Sequence, residues 1–128
     1  MRVHTPTEHD TVATPNAEMT SLATPRRGTR ELSAWRVRMA PGARGPWHSV
    51  DREQVWLPLT GTIAVASGDG TAEPKHVGPG QAAVLPAGEP RQVSTTGGEA
   101  VEALVCMTAG GLATVTETGE IRTIPWAE

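Results

Sequence analysis

The sequence predicts an all-β fold, either a sandwich or a barrel of short strands. Glycine (14 residues) and proline (11) together make up about a fifth of the 128-residue chain, against roughly 12% in average proteins. Turn residues recur at intervals of about 8–12 residues, which is typical of all-β domains. No segment carries a helical apolar stripe of ten residues or more, so we expect no long helix.

The segments between the turns have the two-residue alternation of half-buried strands. In the first of them, Trp35, Val37 and Met39 alternate with Arg36 and Arg38, so one face is apolar and the other is charged. Further strands are predicted, in order, at 54–59, 62–67, 81–85, 91–96 and 99–107, followed by a hairpin around Gly119. Gly-Pro and Gly-Gly pairs supply the turns between them.

Residues 1 to 28 differ from the rest of the chain. They are rich in threonine, proline and charge, and no period of 2 or 3.6 continues beyond a few residues. We interpret them as an N-terminal arm, flexible or exchanged with a neighbouring molecule. The folded domain is then expected to span 29–128, with order beginning at Leu32.

Composition argues against several classes of protein. The only cysteine is Cys106, which excludes a disulfide framework and is interpreted as an inert buried thiol. The first ten residues have no apolar signal-peptide core, and no apolar run approaches the ~18 residues of a membrane span. The net charge is −3 and the basic residues are scattered, so no nucleic-acid face is predicted. A cytoplasmic location, without membrane contact, is expected.

Two glycine-bounded motifs stand about 20 residues apart. In the first, Gly42 is followed after five residues by His48, Ser49 and Val50, and then by Gln54, which six residues separate from the glycine at 61. In the second, a glycine at 80 is followed after five residues by Pro-Ala-Gly at 86–88, and then by Arg91. Glycine at such corners allows a positive φ or a close backbone approach.

The spacing of these residues resembles the two motifs of the cupin family, over residues 32 to 107. The resemblance implies a small single-domain cupin of the RmlC-like type. Its fold would be a β-barrel, also described as a double-stranded β-helix or jelly roll, with a pocket inside. The glycine framework of both motifs matches in full.

The metal ligands of the family are mostly replaced. In metal-binding cupins two histidines and a glutamate of the first motif converge on one ion with a histidine of the second. Here only His48 is kept, while Val50, Gln54 and Arg91 stand at the other positions. Valine has no lone pair, glutamine is a weak neutral ligand, and an arginine cation repels a metal. We therefore expect no cofactor.

Two other residues could add a metal ligand. Glu53 would turn inward if the strand slipped by one residue, because such a slip exchanges the two faces. His76, between the motifs, could also reach the pocket. In that case His48, Gln54 and Glu53 would form the metal set.

The resemblance places His48 and Arg91 in the pocket as candidate catalytic residues. Imidazole titrates near neutral pH and serves as a general acid or base. The planar guanidinium of Arg91 suits a carboxylate, phosphate or enolate. When no ligand is bound, water, Gln54, Asp51 or Glu53 should satisfy it. The simpler interpretations are a hydrogen-bonded histidine at the mouth of the barrel and a solvated arginine in a turn.

Four further residues are candidates for ligand binding. Gln54 could orient a ligand carbonyl or fix the tautomer of His48, although it could also only satisfy a buried backbone group. Trp56 lies two residues beyond it and should face the same side. Val50 and Trp35 are expected to form parts of the pocket wall.

The leading hypothesis is a metal-independent cupin that binds a small molecule. The positive charge of Arg91 favours an anionic group on that molecule. If the protein is an enzyme, the available chemistry is proton transfer, as in an isomerase, cyclase or dehydratase. The alternative is a non-catalytic ligand-binding or sensing module, and a third is a metal-dependent enzyme with an unusual ligand set. A homodimer is also expected, because edge strands with unpaired backbone groups invite a second copy.

Overall fold

Two antiparallel six-stranded sheets form the molecule in the computed structural model, which describes residues 1–128. The first sheet has the order β1-β2-β3-β10-β5-β8 and the second has the order β12-β11-β4-β9-β6-β7. The strands are β1 Thr11–Ala13, β2 Glu18–Ala23, β3 Leu32–Met39, β4 His48–Val50, β5 Gln54–Thr60, β6 Ile63–Ser67, β7 Lys75–Val77, β8 Ala83–Leu85, β9 Arg91–Thr95, β10 Val101–Thr108, β11 Leu112–Val115 and β12 Ile121–Thr123. No helix in the structure is long and apolar enough to cross a membrane.

The structure confirms the predicted all-β jelly roll. In β3 the alternation holds residue by residue, with Trp35, Val37 and Met39 each no more than 3% exposed. The predicted strands are present, most of them shorter by one or two residues than the sequence indicated. Side chains from both sheets form one core, so the apolar faces of the two layers pack against each other.

The arm contains two strands that the sequence did not indicate. Strands β1 and β2 lie within residues 1–28, and β2 pairs with β3 along its length. Order therefore begins before Leu32. The buried side chains of β2 include Thr20 and Ser21, so its sequence shows no alternation of apolar and polar residues that would predict a strand. Exchange of this segment with a second copy, and a domain boundary at residue 28, stay predictions.

The carboxylate of Asp10 connects the beginning of the chain to Arg27. Asp10 accepts hydrogen bonds from Nε of Arg27 at 2.9 Å and from the backbone N–H of Thr7 at 2.7 Å. Its carboxylate also lies 3.4 Å from Nε2 of His4. The hydrogen bonds from Thr7 and Arg27 lower the pKa of Asp10 to about 2. Asp10 therefore stays ionised at any ordinary pH.

The short turn Pro125–Ala127 packs against strands β2 and β3 of the first sheet. The hydroxyl of Ser21 donates to the carbonyl of Trp126 at 2.8 Å, and the hydroxyl of Ser33 donates to the carbonyl of Ala127 at 2.5 Å. Ala127 itself is 3% exposed. Buried hydroxyls of the early strands thus find their acceptors in this final turn.

The motif glycines behave as the sequence predicts. Those at 42, 61, 80 and 88 all have positive φ angles, between 73° and 84°. At Gly61 a Cβ atom would also collide with the carbonyl oxygen of Ala100. Glycine is therefore required there for both conformation and space.

Cys106 corrects one expectation, because it is half-buried rather than buried. It lies on β10 between Val105 and Met107, which are 0% and 3% exposed. Since neighbours along a strand face opposite sides, Cys106 faces outward from the first sheet. The outermost strands β1, β8, β12 and β7 leave four edges, and the homodimer stays a prediction.

Candidate functional site

Strand register brings His48 and Arg91 together. They are directly opposite each other where β4 pairs with β9, and residues in that relation project to the same face of an antiparallel sheet. Arg91 is 1% exposed and His48 is half-buried. Both side chains therefore belong to the inner face of the second sheet.

Gln54 joins them from the other sheet. Its Oε1 accepts a hydrogen bond from Nη2 of Arg91 at 2.9 Å and a longer one from Nε1 of Trp56 at 3.3 Å. Gln54 is itself 4% exposed. One amide oxygen thus links the two sheets through a buried hydrogen bond, and Gln54 is among the partners that the sequence proposed for Arg91.

The guanidinium of Arg91 is buried without an acidic partner. No Asp or Glu oxygen lies within 4.0 Å of its nitrogens. Its Nη1 donates to the carbonyl of Glu89 at 3.1 Å and to that of Pro86 at 3.5 Å, and its buried Nε–H finds no acceptor in the protein. Burial lowers the pKa of Arg91, an effect that the charge of Glu89 partly opposes.

His48 is held in one tautomer when neutral. Its Nδ1 lies 3.0 Å from the carbonyl oxygen of Pro46, so Nδ1–H donates there and Nε2 keeps its lone pair. Burial lowers the pKa of His48 below its ordinary 6.5, the hydrogen bond to Pro46 partly opposes this shift, and the charge of Arg91 adds to it. The ring is therefore a neutral base at pH 7. Pro46, rather than Gln54, sets its tautomer.

The other predicted ligand-binding residues have different surroundings. Trp56 is half-buried and contacts Gln54. Val50, two residues beyond His48 on β4, is 2% exposed in the core. Trp35 is also 2% exposed and lies on β3, opposite Ser21 and Val105. It belongs to the core rather than to the group around Arg91.

The residues at this position do not fit a transition metal. Gln54 faces inward and Glu53 is exposed, so the strand has not slipped, and His76 is exposed on β7. No three His, Cys, Asp or Glu side chains come close enough together to hold a metal ion. One imidazole, a neutral amide and a guanidinium remain, which is a poor donor set for a divalent cation.

Two of the seven surface cavities lie beside the second sheet, and neither is lined by His48, Gln54 or Arg91. The first, of about 670 Å³, lies on the outer face of the second sheet beside Trp47. The second, of about 470 Å³, lies between β8 and the β6–β7 hairpin. The resemblance implied an open interior pocket. Close to Arg91 lie Oε1 of Gln54 and the carbonyls of Glu89 and Pro86, and the interior pocket stays a prediction.

The second cavity involves residues that the sequence did not single out. Pro86 and Glu89, whose carbonyls bind Arg91, line it together with Ser67 and Leu85. Pro86 belongs to the second motif, which predicted a turn at this position but not the contact of its carbonyl with Arg91. No local pattern marked Ser67 or Leu85, because their role depends on pairing with distant strands.

Comparisons with known proteins agree with this fold. Residues 35–107 match the model of the cupin domain family. The polyketide cyclase RemF from Streptomyces resistomycificus superposes with a TM-score of 0.71 at 23% identity, covering 97% of this chain and 84% of its own. A sugar phosphate isomerase from Silicibacter pomeroyi has a TM-score of 0.65 at 19% identity, with 80% and 68% covered.

The oxalate decarboxylase of Bacillus subtilis superposes over only part of its length. Its TM-score is 0.68 at 20% identity, over 77% of this chain. The chain spans about a quarter of that protein, since 26% of it is covered. No curated protein sequence matches the chain significantly. At these identities the likeness establishes the fold.

The pKa of His48 provides the first test. We expect NMR titration to give a value below 6.5, because burial and Arg91 both disfavour the imidazolium. Arg91→Met should raise that pKa while leaving it below 6.5, and Arg38→Met on the outer face of the first sheet should not change it. Since the folded pKa is lowered, the free energy of unfolding should fall as pH drops below about 6.5. A pKa above 6.5 would contradict the described environment.

The motif alignment provides the second test. The variant Val50→His, Gln54→Glu, Arg91→His restores the family's donor types at inward positions of β4, β5 and β9. We expect it to bind one zinc or nickel ion per chain by elemental analysis, whereas the unaltered protein should hold no stoichiometric transition metal. A control with Glu53→His in place of Gln54→Glu should bind less, because residue 53 is exposed. A folded triple variant without metal would refute the alignment.

Proposed function

We propose that this chain, which belongs to the cupin family, binds a small organic anion at Arg91 and transfers a proton through His48. The observation that carries the proposal is the guanidinium of Arg91, which is 1% exposed and has no carboxylate partner. An isolated buried charge is costly. A negatively charged ligand would offset that cost by pairing with the guanidinium.

The hydrogen bonds of Arg91 support an anionic ligand rather than a purely structural role. Three neutral oxygens, from Gln54, Glu89 and Pro86, accept from its Nη atoms, and the Nε–H has no acceptor. A carboxylate can accept two parallel bonds from the Nε and Nη edge of a guanidinium. A ligand carboxylate would therefore satisfy both the charge and the unpaired donor.

His48 supplies the proton-transfer step. Its Nε2 lone pair is available while Nδ1–H is bound to Pro46. In the proposed reaction Nε2 takes a proton from a carbon next to a carbonyl group, the C–H electron pair moves towards the carbonyl oxygen, and Arg91 stabilises the resulting enolate. Return of the proton to another atom of the same molecule completes an isomerisation. Attack of the enolate carbon on a second carbonyl group of that molecule opens the C=O double bond, and its oxygen takes the proton back from His48, which would complete a cyclisation.

The reaction class agrees with two of the structural neighbours, which are named as an isomerase and a cyclase. The neighbours support the fold, and the reaction is argued from His48 and Arg91. We propose that the chemistry is independent of a metal, because the donor set at this position is one imidazole, one amide and a cation. No step above requires a Lewis acid.

Anion binding is tested by comparing hexanoate with its neutral isostere hexanamide. Arg91→Met should weaken hexanoate binding by about 1.5–3 kcal/mol, the range for hydrogen bonds to charged groups, or roughly 10- to 100-fold in Kd. Binding of hexanamide should change little. Isothermal titration calorimetry measures both.

The matched control is Arg38→Met, which removes the same charge from a side chain that is 59% exposed. It should leave both affinities unchanged. Arg91→Lys keeps the charge but loses the planar fork, so it should give an intermediate loss. Equal binding of hexanoate by the wild type and Arg91→Met, both folded by circular dichroism, would rule out the anion site.

Catalysis is tested separately, because a binding module would need Arg91 but not His48. In D2O the wild type should accelerate exchange of the C3 protons of 2-oxohexanoate, as followed by proton NMR. His48→Gln should reduce that rate by about 100-fold or more and change the Kd by less than about twofold. If the wild type binds 2-oxohexanoate without accelerating exchange, the protein is a binding module for this class of ligand.

A further inference from the structure

We infer that the cleft between β8 and the β6–β7 hairpin binds the body of the ligand, and that the ligand is a monocarboxylate with an apolar body. This inference rests on the proposed anion site at Arg91 and adds where the remainder of the molecule lies. The cleft measures about 470 Å³, within the range of small-molecule sites.

The inner end of the cleft adjoins the Arg91–Gln54 pair on both sheets. Ser67 lines the cleft and is directly opposite Arg91 in the β6–β9 pairing. Leu85 also lines it and is directly opposite Gln54 in the β5–β8 pairing. Opposed residues share a face, so the cleft lies next to Arg91 in the second sheet and next to Gln54 in the first.

The cleft is also where the two sheets leave the barrel open. Strand β8 is the last strand of the first sheet and β7 is the last strand of the second. No strand joins them. A molecule can therefore enter between these edges without breaking a pair of strands.

The lining of the cleft indicates an apolar body. Val65, Val77, Ala83 and Leu85 form its aliphatic walls, and Val77 and Leu85 are 8% and 7% exposed. The charged residues Lys75 and Glu89 also line it. A ligand with one carboxylate directed at Arg91 and a hydrocarbon portion along these walls matches this lining.

The loop 86–90 separates the cleft from Arg91. It holds the Nη1 atom through the carbonyls of Glu89 at 3.1 Å and Pro86 at 3.5 Å. The bond to Pro86 is at the limit of hydrogen-bond length and so is the weaker of the two. In the bound state the loop shifts and gives up the weak bond to Pro86, and the carboxylate of the ligand accepts from Nε and Nη2, the two nitrogens on one edge of the guanidinium. Nη2 carries two hydrogens, so Gln54 and the ligand can each accept one.

The experiment is a series of butanoate, hexanoate and octanoate, titrated by calorimetry. Each added methylene that enters the cleft should tighten binding about fourfold, the equivalent of about 0.8 kcal/mol. Ala83→Phe fills the cleft and should weaken octanoate by at least tenfold.

The matched control is Ala113→Phe, the same change at another half-buried alanine that packs against the core, on β11. It should not alter octanoate binding. If Ala83→Phe does not fold, the wild type still provides a test, because octanoate should give nuclear Overhauser contacts from its terminal methyl group to the methyl groups of Val77. Absence of those contacts would overturn the inference.

The outcomes separate the two proposals. If Arg91→Met weakens the binding of every acid but chain length and Ala83→Phe have no effect on affinity, the cleft does not bind the ligand and the anion site at Arg91 is still supported. If no acid binds to the wild type, both proposals fail. If affinity rises with chain length and Ala83→Phe selectively removes that gain, both are supported.

Discussion

A buried guanidinium without a counter-ion is the constraint on which the interior depends. Arg91 is 1% exposed, and every acceptor that reaches it is a neutral oxygen. The barrel must therefore bring Gln54 across from the opposite sheet and hold the carbonyls of Pro86 and Glu89 against the same group. The conformation of the 86–90 loop and the approach of the two sheets follow from this need. A charge that orders its surroundings in this way also lowers the proton affinity of His48.

Much of this arrangement could be predicted from the sequence because turns and alternation are local properties. Gly42 and Gly61 have the positive φ angles that their motif positions required. Trp35 and Val37 are buried where the alternation placed them. The pairing of His48 with Arg91 could be expected only through the family resemblance, since 43 residues of chain separate them and no local pattern relates β4 to β9.

The missed features depend on contacts between distant segments. Strand β2 buries Thr20 and Ser21, and Thr24 follows at 0% exposure. Buried hydroxyls give no hydrophobic period, so this segment resembles an unstructured arm by composition. The cleft could not be predicted either, because it exists where β7 and β8 end their sheets. Which strands become edges is decided by the whole topology.

The final turn has a consequence for how the chain reaches its native state. Ser21 and Trp126 are 105 residues apart, and Ser33 and Ala127 are 94 apart. Contacts of such separation form late, because a long loop must close before they contribute. During synthesis, the hydroxyls of the early strands stay without these acceptors until residue 127 has left the ribosome. The early strands therefore wait for a segment that is made about a hundred residues later, and an incompletely packed barrel is open to wrong partners during that interval.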